Sequence, residues 1–214
     1  MSEYVPRENV LKIFEELNLS GVNYVLLRNL KDELPGNLRS NKDIDIMVNA
    51  EDVQLLHSNS KKLNWKKLRH PFSNIPFLYG MQPFEFYQVH GINVDICFQL
   101  SCRSLNKGEW FPLDMYVQDS VWKNRLKAEG MPWNYTLSRV DEMVHLLTRS
   151  VFDKKAFGDG YIERLNELQS VINENELRTR LKLIFFQFTD TLIDHIKNRS
   201  YESIYINYIQ FRNY

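Results

Sequence analysis

The sequence predicts an α/β fold, with a mixed β-sheet flanked by helices in residues 1–131 and a helical C-terminal region in residues 132–214. Two observations support this prediction. Before residue 132, short β-prone runs alternate with amphipathic helical patterns, and after it apolar residues recur at helical spacing. Because 43% of the 214 residues are hydrophobic, the chain has enough apolar side chains to fill a sizeable core.

The first elements follow the order helix, strand, loop, strand, helix. The predicted helices span residues 7–19 and 50–63, and Asn49 is a candidate N-cap for the second. The β-prone runs span residues 24–27 and 43–48, with a polar loop between them. The helix side chains expected to face the core are Val10, Ile13, Phe14, Leu17, Val53, Leu55, Leu56 and Leu63.

Four further β segments are predicted, at residues 65–69, 77–81, 84–90 and 92–100. Gly91 separates the last two and supplies the positive φ that tight hairpin turns require. We therefore expect these last two strands to be antiparallel neighbours.

The second half of the chain has the texture of a helical region. Residues 101–131 are predicted as loop and short elements, and Ser138 is a plausible start for a helix over residues 140–152. Two more helices are predicted at residues 161–172 and 176–197. The sequence thus favours a domain boundary after residue 131.

Two acidic strands carry the residues that indicate chemistry. In DIDIMV, the two-residue period of a strand places Asp43 and Asp45 on one face and Ile44 and Ile46 on the other. Asp95 has the same setting in NVDICF. If the two strands are neighbours, three carboxylates converge, and a divalent cation with a preference for oxygen ligands offsets their repulsion.

Such a cluster suits phosphoryl transfer, because Mg²⁺ bridges phosphate oxygens and neutralises developing charge. In the predicted arrangement Asp43 and Asp45 bridge two Mg²⁺ ions, while Asp95 holds the ion on the side of the nucleophile and acts as the base. An Asp-x-Asp pair alone also marks turns, helix caps and solvated strand faces. The β alternation and the second acidic strand favour the metal site.

At these residues the sequence resembles the DNA polymerase beta-type nucleotidyltransferase superfamily. The pattern is read in YVLLRNL, KDELPGNLRSNK, DIDIMV and NVDICF, over residues 21–100. The run is also similar to uncharacterised bacterial nucleotidyltransferase-like proteins with a Leu-Arg-Gly turn. The resemblance implies a nucleotidyltransferase-like sheet, a nucleoside triphosphate as donor, Mg²⁺ as cofactor and a substrate-binding helical bundle.

One departure from that pattern lies in the turn after the first strand. The family has Gly-Ser or Gly-Gly there, with backbone N–H groups that cradle phosphates, whereas this chain has Arg28, Asn29 and Leu30. Asn29 tolerates positive φ and is expected to preserve the turn, and Arg28 is expected to supply charge-assisted contacts to phosphate.

Lys42 and Lys154 complete the predicted phosphate-binding residues, together with Arg28 and Asn29. Lys42 stands immediately before the acidic strand, although a solvated loop charge explains it as well. Lys154 follows a predicted helix, and a basic helix end that complements the helix dipole is the alternative account.

Composition excludes several classes of function. Lys plus Arg and Asp plus Glu both number 27, so no net charge attracts a long nucleic acid. No apolar run approaches the roughly 20 residues of a membrane span, and the opening residues lack the pattern of a signal peptide, so a cytoplasmic protein is expected. Cys97 and Cys102 imply neither a disulfide framework nor a zinc site.

The leading functional hypothesis is nucleotidyl transfer from a nucleoside triphosphate to a hydroxyl of an unknown small molecule, sugar or protein. Two alternatives stay open: a phosphotransferase of cell-surface glycan synthesis on the same fold, and a non-catalytic relative that binds a nucleotide or a partner. The aromatic residues near the C-terminus could pack between helices or form a homodimer contact.

Overall fold

The computed structural model describes residues 3–69, 84–105 and 109–211, and it confirms the predicted α/β class. The strands are β1 (Tyr24–Leu26), β2 (Asp43–Val48), β3 (Lys66–Leu68), β4 (Phe84–Val89), β5 (Ile92–Cys97), β6 (Ser101–Arg103), β7 (Trp110–Pro112), β8 (Leu126–Lys127) and β9 (Tyr135–Thr136). Seven of them form a mixed sheet in the order β3-β4-β5-β2-β1-β9-β8, and β6 pairs with β7 separately.

Helices precede and follow the first two strands, and they dominate the end of the chain. They are α1 (Arg7–Leu19), α2 (Val53–Lys62), α3 (Met115–Asn124), α4 (Arg139–Thr148), α5 (Asp159–Gln169), α6 (Glu174–Phe185), α7 (Thr189–Lys197) and α8 (Tyr201–Gln210). Short 3-10 helices span Leu30–Asp32, Ala50–Asp52 and Phe186–Phe188, and a π-helical segment spans Arg149–Lys154. None of the helices in the described ranges is long and apolar enough to cross a membrane.

Contacts divide the chain into two compact units. The first consists of Met1–Leu100 and Arg125–Leu137, and the second of Ser101–Asn124 and Ser138–Tyr214. The main sheet lies in the first unit, because β9 returns to pair in parallel with β1. The segment before residue 131 is thus shared between the units, and a division into functional domains after residue 131 stays a prediction.

The core of the first unit lies on one face of the main sheet. Alternation along β2 turns Ile44 and Ile46 toward this face, where both are fully buried. The cluster contains apolar side chains from α1 and α2 and from β1, β2, β4 and β5: Val10, Ile13, Phe14, Leu17, Leu56, Tyr24, Leu26, Ile44, Ile46, Val48, Tyr87, Val89, Ile92, Val94 and Ile96. The other face of β2 and β5 carries acidic residues together with the buried side chains of Met47 and Cys97.

The hairpin between β4 and β5 has the predicted geometry. His90 and Gly91 adopt φ values of 48° and 82°, as a two-residue turn with positive φ at both positions requires. The strands pair antiparallel with Val89 opposite Ile92. The strand predicted at residues 77–81 lies outside the described residues.

The helix after β2 differs from the prediction in its packing face. Asn49 is the expected cap, with its side chain accepting a hydrogen bond from the Glu51 N–H. The chain then makes a 3-10 turn before α2 begins. The buried face of α2 carries Leu56, and Leu55 lies about 100° around the helix axis from it. Leu55 and Leu63, the residue that follows α2, are 40% and 37% exposed, so their predicted core positions were wrong.

The predicted helix over residues 176–197 is two helices. It breaks at Phe186, where φ is 48° and ψ is −126°, and the chain continues through a 3-10 turn into α7. The break leaves Phe186 66% exposed, whereas Phe185 and Phe188 on either side of it are buried. The sequence analysis also missed α8, which buries Tyr201 and Ile204.

The start of α4 agrees with the prediction. The Ser138 hydroxyl accepts a hydrogen bond from the Asp141 N–H at 3.1 Å and donates one to the Asp141 carboxylate. The α-helical part ends at Thr148, and the remainder of the predicted helix is the π-helical segment Arg149–Lys154.

A buried polar cluster joins α2 to the edge of the sheet on the core side. The Glu85 carboxylate of β4 is bound by His57 Nε2 at 2.9 Å, by the Tyr87 hydroxyl at 2.7 Å and by the Lys67 ammonium group. Burial by itself raises the pKa of Glu85. The hydrogen bonds outweigh burial, so the net pKa lies below the ordinary value of 4.5.

This depressed pKa predicts a stability that depends on acid pH. The Glu85 contribution is present above pH 4.5 and is lost as the pH falls through the lower pKa of the folded state. Glu85→Gln should lower the free energy of unfolding by about 1–3 kcal/mol near neutral pH. Its stability should also fall less steeply in acid, as measured by urea unfolding at several pH values. Glu15→Gln is the control, because Glu15 is exposed. If the stability of Glu85→Gln fell with pH as steeply as that of the unchanged protein, this account would be contradicted.

Candidate active site

The candidate site is built by the parallel pairing of β2 and β5. Asp45 lies opposite Asp95, and Asp43 lies opposite Asn93. Residues paired in this way point to the same face of a sheet, and here that face is the one opposite the apolar core. The structure thus brings together the three acids that the sequence singled out.

The three carboxylates form a compact group. One oxygen of each of Asp43, Asp45 and Asp95 lies within 4.8 Å of the other two. Asp45 is 7% exposed, and the other two are half-buried. Carboxylate oxygens at this spacing are the donors that hard divalent cations such as Mg²⁺ prefer, so the donor set fits such an ion.

Arg28 supplies a positive charge within the same group. Its Nε and Nη2 atoms lie 2.7 and 2.6 Å from the Asp45 Oδ2 atom, and Nη2 lies 3.9 Å from Asp43 Oδ1. The sequence analysis expected this side chain to contact phosphate, whereas the structure places it on the acids. Within these four side chains, one guanidinium offsets one of three carboxylates.

The turn after β1 is held by side-chain hydrogen bonds. Asn29 has φ −140°, so its predicted positive φ was wrong, and Lys31 and Asp32 adopt positive φ instead. The Asn29 Oδ1 atom accepts a hydrogen bond from the Leu34 N–H at 2.9 Å, and Nδ2 donates to the Leu34 carbonyl. The Asn29 amide therefore closes the loop through its side chain, which an extended backbone permits.

The predicted phosphate-binding lysines have different settings. Lys42 stands next to Asp43 in sequence, and its Nζ atom lies 3.4 Å from Glu33 Oε1, with 46% of the side chain exposed. Lys154 is exposed and lies in the π-helical segment of the second unit. Contact of either lysine with a phosphate stays a prediction.

The sequence analysis missed an aromatic residue beside the acids. Phe86 of β4 lies directly opposite Asp95, so its half-buried ring occupies the same face of the sheet. Phe84 follows on that face, and the two ring centroids lie 6.5 Å apart. The alternation in FEFYQV, counted back from the turn at His90 and Gly91, could have predicted the face on which Phe86 lies.

Comparisons with known proteins agree with this fold. Neither a protein-family model nor a curated protein matches the chain. Among solved structures, the chain is similar to the antibiotic-resistance factor ANT(2'')-Ia, an aminoglycoside nucleotidyltransferase. The TM-score is 0.53 at 9% sequence identity, and the match covers 90% of this chain and 97% of the other. The fold is thus nucleotidyltransferase-like, with a mixed sheet and C-terminal helices.

If the acids hold a divalent cation, that ion should stabilise the folded chain. At a concentration about 100 times its dissociation constant, Mg²⁺ should raise the free energy of unfolding by about 2.7 kcal/mol, because it binds the folded state alone. Asp45→Asn removes a ligand charge and should abolish most of this rise in thermal unfolding. The matched control is Asp194→Asn, exposed on α7; an equal rise in Asp45→Asn would exclude the acids as the binding site.

Proposed function

We propose that this protein is a metal-dependent nucleotidyltransferase, which moves a nucleotidyl group from a nucleoside triphosphate to a hydroxyl of a small molecule, sugar or protein. The observation that carries the proposal is the convergence of Asp43, Asp45 and Asp95 on two parallel strands of a nucleotidyltransferase-like sheet. We further propose a cytoplasmic location.

In this proposal each acid has its own part. Asp43, Asp45 and Asp95 would hold two Mg²⁺ ions, with Asp95 as the ligand nearer the acceptor. Bound Mg²⁺ would neutralise charge on the phosphates and lower the pKa of the acceptor hydroxyl. Asp95 accepts the hydroxyl proton as the acceptor oxygen bonds to the α-phosphorus. The bond from that phosphorus to the bridging oxygen breaks, and pyrophosphate leaves.

Basic residues of the same strand ends are proposed to bind the donor. Arg28 and Lys42 lie immediately before or beside the acids, and both carry the positive charge that triphosphate oxygens attract. Asn29 shapes the turn between β1 and the following loop. Lys154 is proposed as a further phosphate contact.

We do not expect a long polynucleotide as the acceptor. The chain has equal numbers of basic and acidic residues, so it lacks the positive field with which proteins retain long polynucleotides. The similarity in fold to an antibiotic-resistance factor supports a small molecule with a hydroxyl group as the acceptor class. A homodimer is the assembly that we propose for this chain.

One observation favours a second candidate function. Because Arg28 already binds Asp45, the acids have an internal counter-charge. A non-catalytic protein that binds a nucleotide or a partner would need no more than this. The turn after β1 also differs from the glycine-containing turn of the family. A phosphotransferase of cell-surface glycan synthesis that uses a different phosphate donor therefore stays an alternative.

Donors labelled at different phosphates separate these candidates. With ATP and the other nucleoside triphosphates, a nucleotidyltransferase should transfer an α-phosphate label to a panel of hydroxyl acceptors in the presence of Mg²⁺. Asp45→Asn and Asp95→Asn should each reduce that transfer by about 100-fold or more, since a cation ligand or the base is lost. Glu15→Gln, exposed on α1 behind the opposite face of the sheet, should be unaffected.

The other outcomes assign the alternatives. Transfer of a γ-phosphate label with no α-label indicates a phosphotransferase. Calorimetric binding of nucleotide without transfer of either label indicates the non-catalytic protein. Transfer of α-label at an unchanged rate in Asp45→Asn would contradict the proposed site.

A further inference from the structure

Arg28 is positioned by the same strand pairing that positions Asp45. Beyond the last residue of β1, the Leu27 N–H donates a hydrogen bond to the Asp45 carbonyl at 3.0 Å. Arg28 follows directly, so its backbone is fixed beside the acidic strand. Its side chain is 18% exposed and the Asp45 side chain 8% exposed, so the ion pair is mostly shielded from water.

The contact has an unusual form for an arginine and a carboxylate. Both Nε and Nη2 converge on the single oxygen Oδ2 of Asp45, at 2.7 and 2.6 Å. A two-oxygen fork is the arrangement that the planar guanidinium commonly makes. Arg28 instead concentrates its charge on one corner of the acid cluster, with Nη2 turned toward Asp43 at 3.9 Å.

A cation bound by the three acids would meet this guanidinium. Their ligand oxygens lie within 4.8 Å of one another, so an ion among them is within a few ångströms of the Arg28 charge. Two positive charges at that distance repel one another where the side chains are partly shielded from water. The ion and the arginine also use the same kind of ligand, the Asp45 carboxylate.

We infer that Arg28 is a built-in competitor of the divalent cation: it neutralises the acids when no ion is bound, leaves Asp45 when the ion arrives, and thereby sets the cation affinity of the site. This inference rests on the proposed cation site. In this scheme Arg28 is a specificity-determining residue, because its charge keeps the affinity of the three acids for the cation alone low.

A role for the donor follows from the same competition. A triphosphate brought with the cation offers anionic oxygens that the displaced guanidinium can bind. Donor and cation therefore each favour the binding of the other, and the coupling is reciprocal. Arg28 would make the site select the cation together with a polyphosphate over the cation alone.

The test is calorimetric titration of the full chain with Mn²⁺ alone. Arg28→Gln removes the competing charge and should bind Mn²⁺ about tenfold more tightly than the unchanged protein. Arg28→Lys retains a charge but lacks the fork, so its affinity should lie between the two. Arg7→Gln is the matched control, because Arg7 is exposed on α1, on the far side of the apolar core, and its loss should leave the affinity unchanged.

The second readout is thermal unfolding without added metal. Arg28→Gln should unfold at a lower temperature than the unchanged protein, because the acids then lose the counter-charge that contacts Asp45. With Mn²⁺ added, Arg28→Gln should instead unfold at a higher temperature than the unchanged protein. An arginine that merely supports the fold would lower the unfolding temperature in both conditions, which would overturn the inference.

The remaining outcomes separate this inference from the proposed function. If the unchanged protein binds Mn²⁺, loses binding in Asp45→Asn, and either Arg28 variant binds no more tightly, the competition is wrong and the cation site stands. If neither the unchanged protein nor the Arg28 variants bind Mn²⁺, both proposals fail. If Arg28→Gln binds more tightly but no nucleotidyl group is transferred, the competition stands and the transferase proposal fails.

Discussion

The parallel pairing of β2 with β5 is the constraint on which the rest of the site depends. Its register sets Asp45 against Asp95, and the two-residue period of each strand then sends Asp43 to the same face. A slip by one residue would turn the acids of one strand toward the apolar core. On its other edge β2 pairs with β1, which delivers Arg28 to the same acids.

One face of these two strands stabilises the fold, and the other carries the acids of the candidate site. Ile44, Ile46, Val94 and Ile96 are almost fully buried against the helices of the first unit. Their burial provides roughly 1.5–3 kcal/mol per side chain and fixes the strands in place. Against that support, the other face holds three like charges close together, an arrangement that a free strand would not keep.

Arg28 shows how such a cluster persists in the folded chain. Carboxylates that converge in a half-buried place destabilise the fold unless a positive group offsets them. The guanidinium does so with one charge, on the oxygen of the most buried acid. The cost of assembling a cation site is thus reduced by a group that the cation itself must displace.

Much of this site was predictable because its signals are local. Strand alternation placed Asp43 and Asp45 on one face, and the positive φ of Gly91 predicted the hairpin that carries Asp95. The position of Phe86 opposite Asp95 was also predictable, because a two-residue turn fixes the register of both strands. What the sequence lacked was any local sign that β5 would join β2 in parallel, which is a long-range pairing.

Other differences arise where tertiary packing overrides a local pattern. Leu55 of α2 is exposed although it is apolar, and the helix predicted to continue past Phe186 breaks there with two flanking phenylalanines buried. Arg28 was expected to bind phosphate because its charge is evident from sequence. Its contact with Asp45 depends on the pairing of β1 with β2, which the spacing of residues within each strand does not reveal.

The most direct test of the central claim is anomalous X-ray diffraction from crystals grown with Mn²⁺. The account predicts a manganese peak among the carboxylates of Asp43, Asp45 and Asp95, with the Arg28 guanidinium moved off Asp45. A crystal that contains Mn²⁺ elsewhere, but retains Arg28 on Asp45 with no anomalous peak among the three acids, would contradict it.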